Sequence, residues 1–187
     1  MRLILGISGA SGVMMGYRIL QALKQYPEIE THLVISQGAV RNFELETDLA
    51  VADINKLADY CHDNNNMAAS ISSGSFVTAG MIVAPCSMKT LSGIANGFAT
   101  NLLIRAVDVC LKEGRKVVLM PREMPLGRVH LHNMQVAAEY GCHIIPPMLT
   151  FYNHLESTED QVQHIIGKVL MQFGLTHQNF KPWQGAQ

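Results

Sequence analysis

The sequence predicts an α/β protein, a three-layer α/β/α doubly wound parallel sheet. Two observations carry that expectation. Short apolar runs recur along the chain with helix-length amphipathic stretches between them, the alternation that a parallel sheet with covered faces requires. The first run, Leu3 to Ile7, breaks into Ser8-Gly9-Ala10-Ser11-Gly12 before apolar residues resume with Gly16 at helical spacing, which reads as strand, tight loop and helix.

Each element has its own signal. The runs Leu3 to Ile7, His32 to Ile35, Met81 to Ala84, Val117 to Met120 and His143 to Ile145 read as buried parallel strands. Helical patterning marks about Val13 to Gln25, Gly38 to Leu45, Val51 to Ala58, Lys89 to Ala95, Leu102 to Glu113 and Val129 to Tyr140. A last helix begins at Ser157-Thr158-Glu159-Asp160, where a hydroxyl caps free amides and early acids suit the dipole, and ends at Phe173-Gly174. Cys61 to Phe76 reads as an irregular functional loop, because Asn64 to Asn66 and Ser70 to Ser75 lack periodicity. The aperiodic tail, residues 175–187, carries Trp183 and is expected to pack on a neighbouring subunit.

Bulk properties narrow the class. The 187 residues suit one domain, 1–187, with a full core. Hydrophobic residues make up 48% and charged residues 16%, which leaves little charge to cover a monomer and predicts a homo-oligomer. A formal net charge of −1 gives no electrostatic footprint for nucleic acid. No run is long enough to span a bilayer or form a signal-peptide core, so a cytoplasmic protein is expected. Cys61, Cys86, Cys110 and Cys142 form no Cys-x-x-Cys pair, and His130 and His132 fall on different faces of a helix, so no metal site is expected.

In an open α/β sheet, ligands gather beyond the carboxyl ends of the strands. A Gly/Ala/Ser loop admits a ligand close to the backbone, and the helix N-terminus after it attracts phosphate. Ser8 to Gly12, Ser36, Pro85 to Thr90, Arg122-Glu123 and Tyr152 all follow strands, and Lys89, Arg122 and Lys112 add cations suited to a second anion on the same rim. Each also has a plainer role. Ser87 and Thr90 suit helix caps, Arg122-Glu123 an exposed ion pair, Lys112 a helix C-terminus, and Cys86 a small buried hydrophobe.

The strings GISGASG at the start, LETD at Leu45 to Asp48, SSGS at Ser72 to Ser75, PCSMKTLSGIA at Pro85 to Ala95, RAVDVCLKEGRKVVLMPREMP at Arg105 to Pro125, and the Pro146 to His154 segment resemble the UbiX family of flavin prenyltransferases. The likeness is greatest to the short members that accompany phenolic acid decarboxylases, and it spans nearly the whole chain. It implies a Rossmann-like or flavodoxin-like fold. It also implies a metal-independent reaction that joins the dimethylallyl group of dimethylallyl phosphate to N5 and C6 of reduced FMN. The product, prenylated FMN, serves a UbiD-type decarboxylase. The resemblance further implies trimer-based, often dodecameric, assembly with active sites at subunit boundaries.

Matched by motif, Gly9, Ala10, Ser11, Ser36, Ser87, Met88, Lys89, Thr90 and Arg122 are expected to bind FMN. Lys112 corresponds to the main lysine for the donor phosphate. Tyr152 also corresponds to a donor-binding residue, Arg105 and Glu123 line the same site, and Trp183 adds to an aromatic wall. Ser11 and Glu46 resemble a proton-relaying pair, a task that a hydroxyl beside a carboxylate suits. Lys168 stands where the family usually has arginine; it keeps the charge without the planar two-point contact. His132 likewise replaces a usual glutamate. Two other readings share the fold: a flavin carrier, and an FMN-dependent cysteine decarboxylase of the phosphopantothenoylcysteine type. The latter is disfavoured by PCSMKT after the third run, where that family shows a PASANT-like string.

Overall fold

The computed structural model describes residues 1–155 and 157–185. Six strands form one parallel sheet among the described residues: β1 (Arg2–Ile7), β2 (Glu30–Ile35), β3 (Tyr60–Asp63), β4 (Gly80–Cys86), β5 (Lys116–Pro121) and β6 (Cys142–Ile144), in the order β3-β2-β1-β4-β5-β6. That is the doubly wound order of dinucleotide-binding sheets. Its direction of winding reverses between β1 and β4, where a crevice opens beyond the strand ends.

Among the described residues seven α-helices flank the sheet: α1 (Val13–Leu23), α2 (Gln37–Glu46), α3 (Val51–Asn55), α4 (Met88–Ala95), α5 (Leu102–Lys112) and α6 (Arg128–Glu139) between strands, and α7 (Thr158–Leu170) after the last of them. Successive residues of a strand point to opposite faces, and the core divides accordingly. Leu3, Leu5 and Ile7 of β1 pack with α1, α2, α3 and α7, whereas Ile4 lies on the side of α4, α5 and α6. Phe43 of α2 and Ile54 of α3 are fully buried on the first side. Burying such a side chain contributes about 1.5–3 kcal/mol, which is why these short helices hold their places.

Glycine sets one packing distance. A Cβ at Gly16 would collide with the Ala84 carbonyl and with Ile7, so its absence lets α1 lie directly against β4 and β1. The last helix starts and stops as expected. Ser157 Oγ accepts from the Asp160 amide, and after a 3-10 turn over Met171–Phe173 the chain leaves through Gly174 in the left-handed region.

Two expectations need correction. The Cys61 to Phe76 segment is not irregular throughout, because its first residues belong to β3, an edge strand that pairs with β2 from His32–Tyr60 to Ile35–Asp63. Lys112 does not lie on the carboxyl rim with Lys89 and Arg122. Helix α5 returns from the rim toward the start of β5, whose first residue Lys116 pairs with Gly80, the first residue of β4. Lys112 therefore sits at the opposite edge of the sheet.

The tail makes contacts within its own chain. The Tyr26 hydroxyl donates to the Thr176 carbonyl, His177 bonds to Gln163 at 2.7 Å, and Trp183 meets Tyr152 edge to face at 5.5 Å between ring centroids. The two last residues, 186 and 187, lie outside the described residues. No described helix is long and apolar enough to cross a membrane.

Candidate active site

Three helix N-termini converge at the ends of β1, β2 and β4, neighbours at the point where the sheet order reverses. Gly12 caps α1 with φ +92°, a conformation that glycine adopts without strain. Ser36 caps α2 by accepting from the Ala39 amide at 3.2 Å. Ser87 caps α4, accepting from the Thr90 amide at 3.3 Å while its hydroxyl donates to Thr90 Oγ1 at 3.1 Å. Free amides at three adjacent helix starts form a ready cradle for an anionic group.

A buried serine ties two sides of this cradle together. Ser8 Oγ donates to the Pro85 carbonyl at 3.0 Å and accepts from the Ser87 amide at 2.7 Å, which locks the loop after β1 to the loop after β4. Helix α2 lies across the first loop. At its start, Gly38 and Gly9 meet so closely that a Cβ on Gly9 would come within 3.0 Å of the Gly38 Cα. At its end, the Glu46 carboxylate accepts from the Gly12 amide at 2.8 Å. A carboxylate is thereby held one residue from the exposed Ser11 hydroxyl. A ligand laid on this loop would meet backbone rather than side chains, which suits a flat, phosphate-bearing group such as a flavin nucleotide.

The rim continues along the loop after β5. The Arg122 amide donates to the Cys86 carbonyl at 3.2 Å, joining this loop to the end of β4. Glu123 Oε1 accepts from the Met124 amide at 3.0 Å rather than pairing with Arg122. Both side chains are exposed. Cys86 is fully buried, and burial pushes its thiol far above the ordinary range, so it is inert packing as the sequence suggests.

Beyond β6 a cavity of about 400 Å³ opens between the Met148–Tyr152 segment, α7 and the tail. Tyr152, His164, Lys168, Trp183, Ile145 and Met148 line it. It brings together three sequence-predicted donor residues, Tyr152, Trp183 and Lys168. His164 completes the wall and was not singled out by its surroundings in the sequence.

Arg105 and Lys112 stand apart from both places. Arg105 Nε donates to the Ser72 carbonyl at 3.2 Å and its guanidinium pairs with Asp108. Lys112 pairs with Glu113, and the ammonium beside it holds the Glu113 carboxyl below its usual range. A Cβ on Gly74 would strike the Glu113 carboxylate and the Lys112 ammonium, so the SSGS loop lies flat along α5. Both cations belong to one exposed or half-exposed stripe of α5, seven residues apart on the same helix face.

This geometry has close parallels. The Flavoprotein family model matches residues 1–172. A probable UbiX-like flavin prenyltransferase from Sedimentibacter hydroxybenzoicus is 65% identical over 187 residues, covering 100% of this chain and 99% of that protein. The chain belongs to the UbiX-like flavin prenyltransferases. Within that family, a dodecameric FMN-dependent UbiX-like decarboxylase from Escherichia coli O157:H7 superposes with TM-score 0.97 at 53% identity, over 99% of this chain and 100% of the other. The structure of AnUbiX (PadA1) in complex with FMN and dimethylallyl pyrophosphate gives TM-score 0.96 at 44% identity, over 100% and 98% of the two chains. The family relationship thus extends through the cradle, the β6 cavity and α5 alike.

Proposed function

We propose that this chain is a flavin prenyltransferase, which transfers the dimethylallyl group of dimethylallyl phosphate to N5 and C6 of reduced FMN and supplies prenylated FMN to a UbiD-type aromatic acid decarboxylase. The observation that carries the reading is the cradle of three helix N-termini with the Glu46 carboxylate bonded into its glycine loop. Membership in the family and the FMN and dimethylallyl pyrophosphate bound by AnUbiX support it.

In this reading Gly9, Ala10, Ser11, Ser36, Ser87, Met88, Lys89, Thr90 and Arg122 hold FMN, with its phosphate against helix amides and hydroxyls. Reduced FMN brings two nucleophilic positions to the site. The protein has three tasks: neutralising the departing phosphate, sheltering positive charge on the allyl group, and removing a proton as the new ring closes. Lys168 and Tyr152 serve the first task from the β6 cavity, and the edge-to-face Tyr152 and Trp183 rings offer negative faces for the second. Ser11 and Glu46 serve the third, because Glu46 is fixed beside the loop by the Gly12 amide. Glu123 lines the site from the loop after β5.

Lys112 and Arg105 enter from a neighbouring copy. Lys112 ends α5 at the far edge of the sheet, out of reach of its own cradle, and Arg105 lies two turns back along the same stripe of α5, whereas a ring of copies brings the α5 stripe of one to the rim of the next. A dodecamer built from trimers fits this arrangement and the 16% charge content, and the E. coli relative is itself dodecameric. We further place the protein in the cytoplasm as a single domain, with the tail near a subunit boundary.

The test is an anaerobic incubation of the purified protein with reduced FMN and either dimethylallyl phosphate or the pyrophosphate, followed by mass spectrometry of the released flavin. A flavin heavier by one prenyl group is expected with at least one donor. Unmodified FMN retained with both donors would leave the carrier reading in its place.

A further inference from the structure

The β6 cavity contains a chain of polar groups that prenyl transfer as described above leaves without a role. His164 projects from α7 and is 4% exposed, yet each ring nitrogen has a different partner. Asn153 Nδ2 lies 3.1 Å from Nδ1, and the Tyr152 hydroxyl lies 3.4 Å from Nε2. An amide nitrogen only donates, so Nδ1 must accept and the proton of the neutral ring must sit on Nε2.

The Asn153 side chain is itself oriented. Its Oδ1 lies 3.3 Å from Thr150 Oγ1, and Thr150 is clamped by the buried Gln161, which accepts from its amide at 2.9 Å and donates to its carbonyl at 2.8 Å. The Phe180 ring lies against the imidazole at 4.9 Å between centroids and keeps that side dry. Burial, and then the nearby Lys168 ammonium, hold His164 below its ordinary pKa, so the neutral form prevails at neutral pH.

The consequence falls on Tyr152. A phenol oxygen that receives a proton from Nε2–H has its own proton left over for another acceptor, and a hydrogen bond received strengthens the one given. Without that donor the hydroxyl is free to rotate its proton away from the cavity.

We infer that His164 is a positioning residue for the prenyl donor: held by Asn153 with its proton on Nε2, it donates to the Tyr152 hydroxyl and turns that hydroxyl's own proton into the cavity beside Lys168, toward the donor phosphate. The inference rests on the reading of Tyr152 and Lys168 as donor-binding residues. It assigns His164 and Asn153 a part in recognising the phosphate, without contact to either reacting carbon.

The test is a double-mutant cycle on the intact protein, following prenylated flavin formation against dimethylallyl phosphate concentration. H164L is expected to raise the donor KM about three- to tenfold, the worth of one hydrogen bond, with kcat changed by less than about twofold. Y152F should raise the donor KM by a similar factor, and H164L should raise it no further in the Y152F background. H164Q, whose amide still donates, should restore most of the loss. N153L leaves the core of α7 untouched and should raise the donor KM in the same direction, which keeps the test open should H164L fold poorly. FMN affinity should be unchanged in every variant. Effects of H164L and Y152F on the donor KM that multiply, or losses in FMN affinity and kcat that accompany the KM change of H164L, would overturn the positioning role. A wild type that makes no prenylated flavin would overturn the donor reading itself.

Discussion

The Gly12 amide donates to the Glu46 carboxylate at 2.8 Å, across 34 residues of sequence. This bond fixes a carboxylate at the mouth of the first loop, beside Ser11. It also gives an otherwise free amide at the start of α1 a partner. Glu46→Gln keeps an acceptor for Gly12 but removes the base, so prenylated flavin formation should fall by about 10²–10⁴-fold, the usual contribution of a general base. FMN affinity should stay within a few-fold. Stopped reactions analysed by mass spectrometry, beside an FMN titration, separate the two effects.

Gly16 reports on the packing that positions the same loop. In Gly16→Ala the new Cβ meets the Ala84 carbonyl and Ile7, and neither backbone nor a buried strand residue yields easily. Overpacking of this kind costs about 1–3 kcal/mol. Thermal unfolding of the variant should show the loss.

Asp59 predicts a pH dependence. Its carboxylate accepts from the Thr31 amide at 2.7 Å and the Thr31 hydroxyl at 2.9 Å, while the Asp59 amide donates back to Thr31 Oγ1 at 3.0 Å. The bond from the Thr31 amide is the main reason the carboxyl titrates below its ordinary value of 3.8, with Lys24 adding a smaller pull. A lowered folded-state value stabilises the fold above 3.8, and the contribution fades as pH falls through the folded-state value. Asp59→Ala should therefore cost about 1–3 kcal/mol at neutral pH through the unpaired Thr31 groups, and the gap to wild type should narrow in acid. Denaturant unfolding at pH 7 and pH 3 checks both the size and the sign.

The thiols should divide into one and three. Burial raises all four thiols, Cys110 to about 11, Cys142 to about 12 and Cys86 higher still, but Cys61 alone is exposed, on the edge strand. Only thiolates react quickly with disulfide reagents. A thiol titration near pH 8 should find Cys61 first and the other three only on unfolding.

Much of the fold was legible in residue order because buried parallel strands announce themselves as apolar runs. Strand β3 escaped because Tyr60-Cys61-His62-Asp63 has no such run; it is held by pairing to β2 and by the stacking of His32 on Tyr60 and His62, both contacts across about thirty residues. The cradle was legible in part. Ser36 and Ser87 precede helices and follow strands, so their caps could be read locally. Glu46 was identified only by resemblance, since nothing in LETD reveals a bond to Gly12. Lys112 was misplaced because a motif gives neighbours in sequence and not the edge of the sheet on which a returning helix ends. His164 and Asn153 carried no local signal, their link being a matter of how the Met148–Asn153 segment folds back on α7.

The most direct measurement is subunit complementation. Lys112→Ala and Glu46→Gln, each inactive alone, are mixed as unfolded chains, refolded into joint oligomers and assayed for prenylated FMN. If the Lys112 of one copy completes the cradle of another, roughly a quarter of the sites in a random mixture regain both groups, and activity returns. Activity no greater than the two variants give separately would contradict a site shared between copies and return Lys112 to some other role.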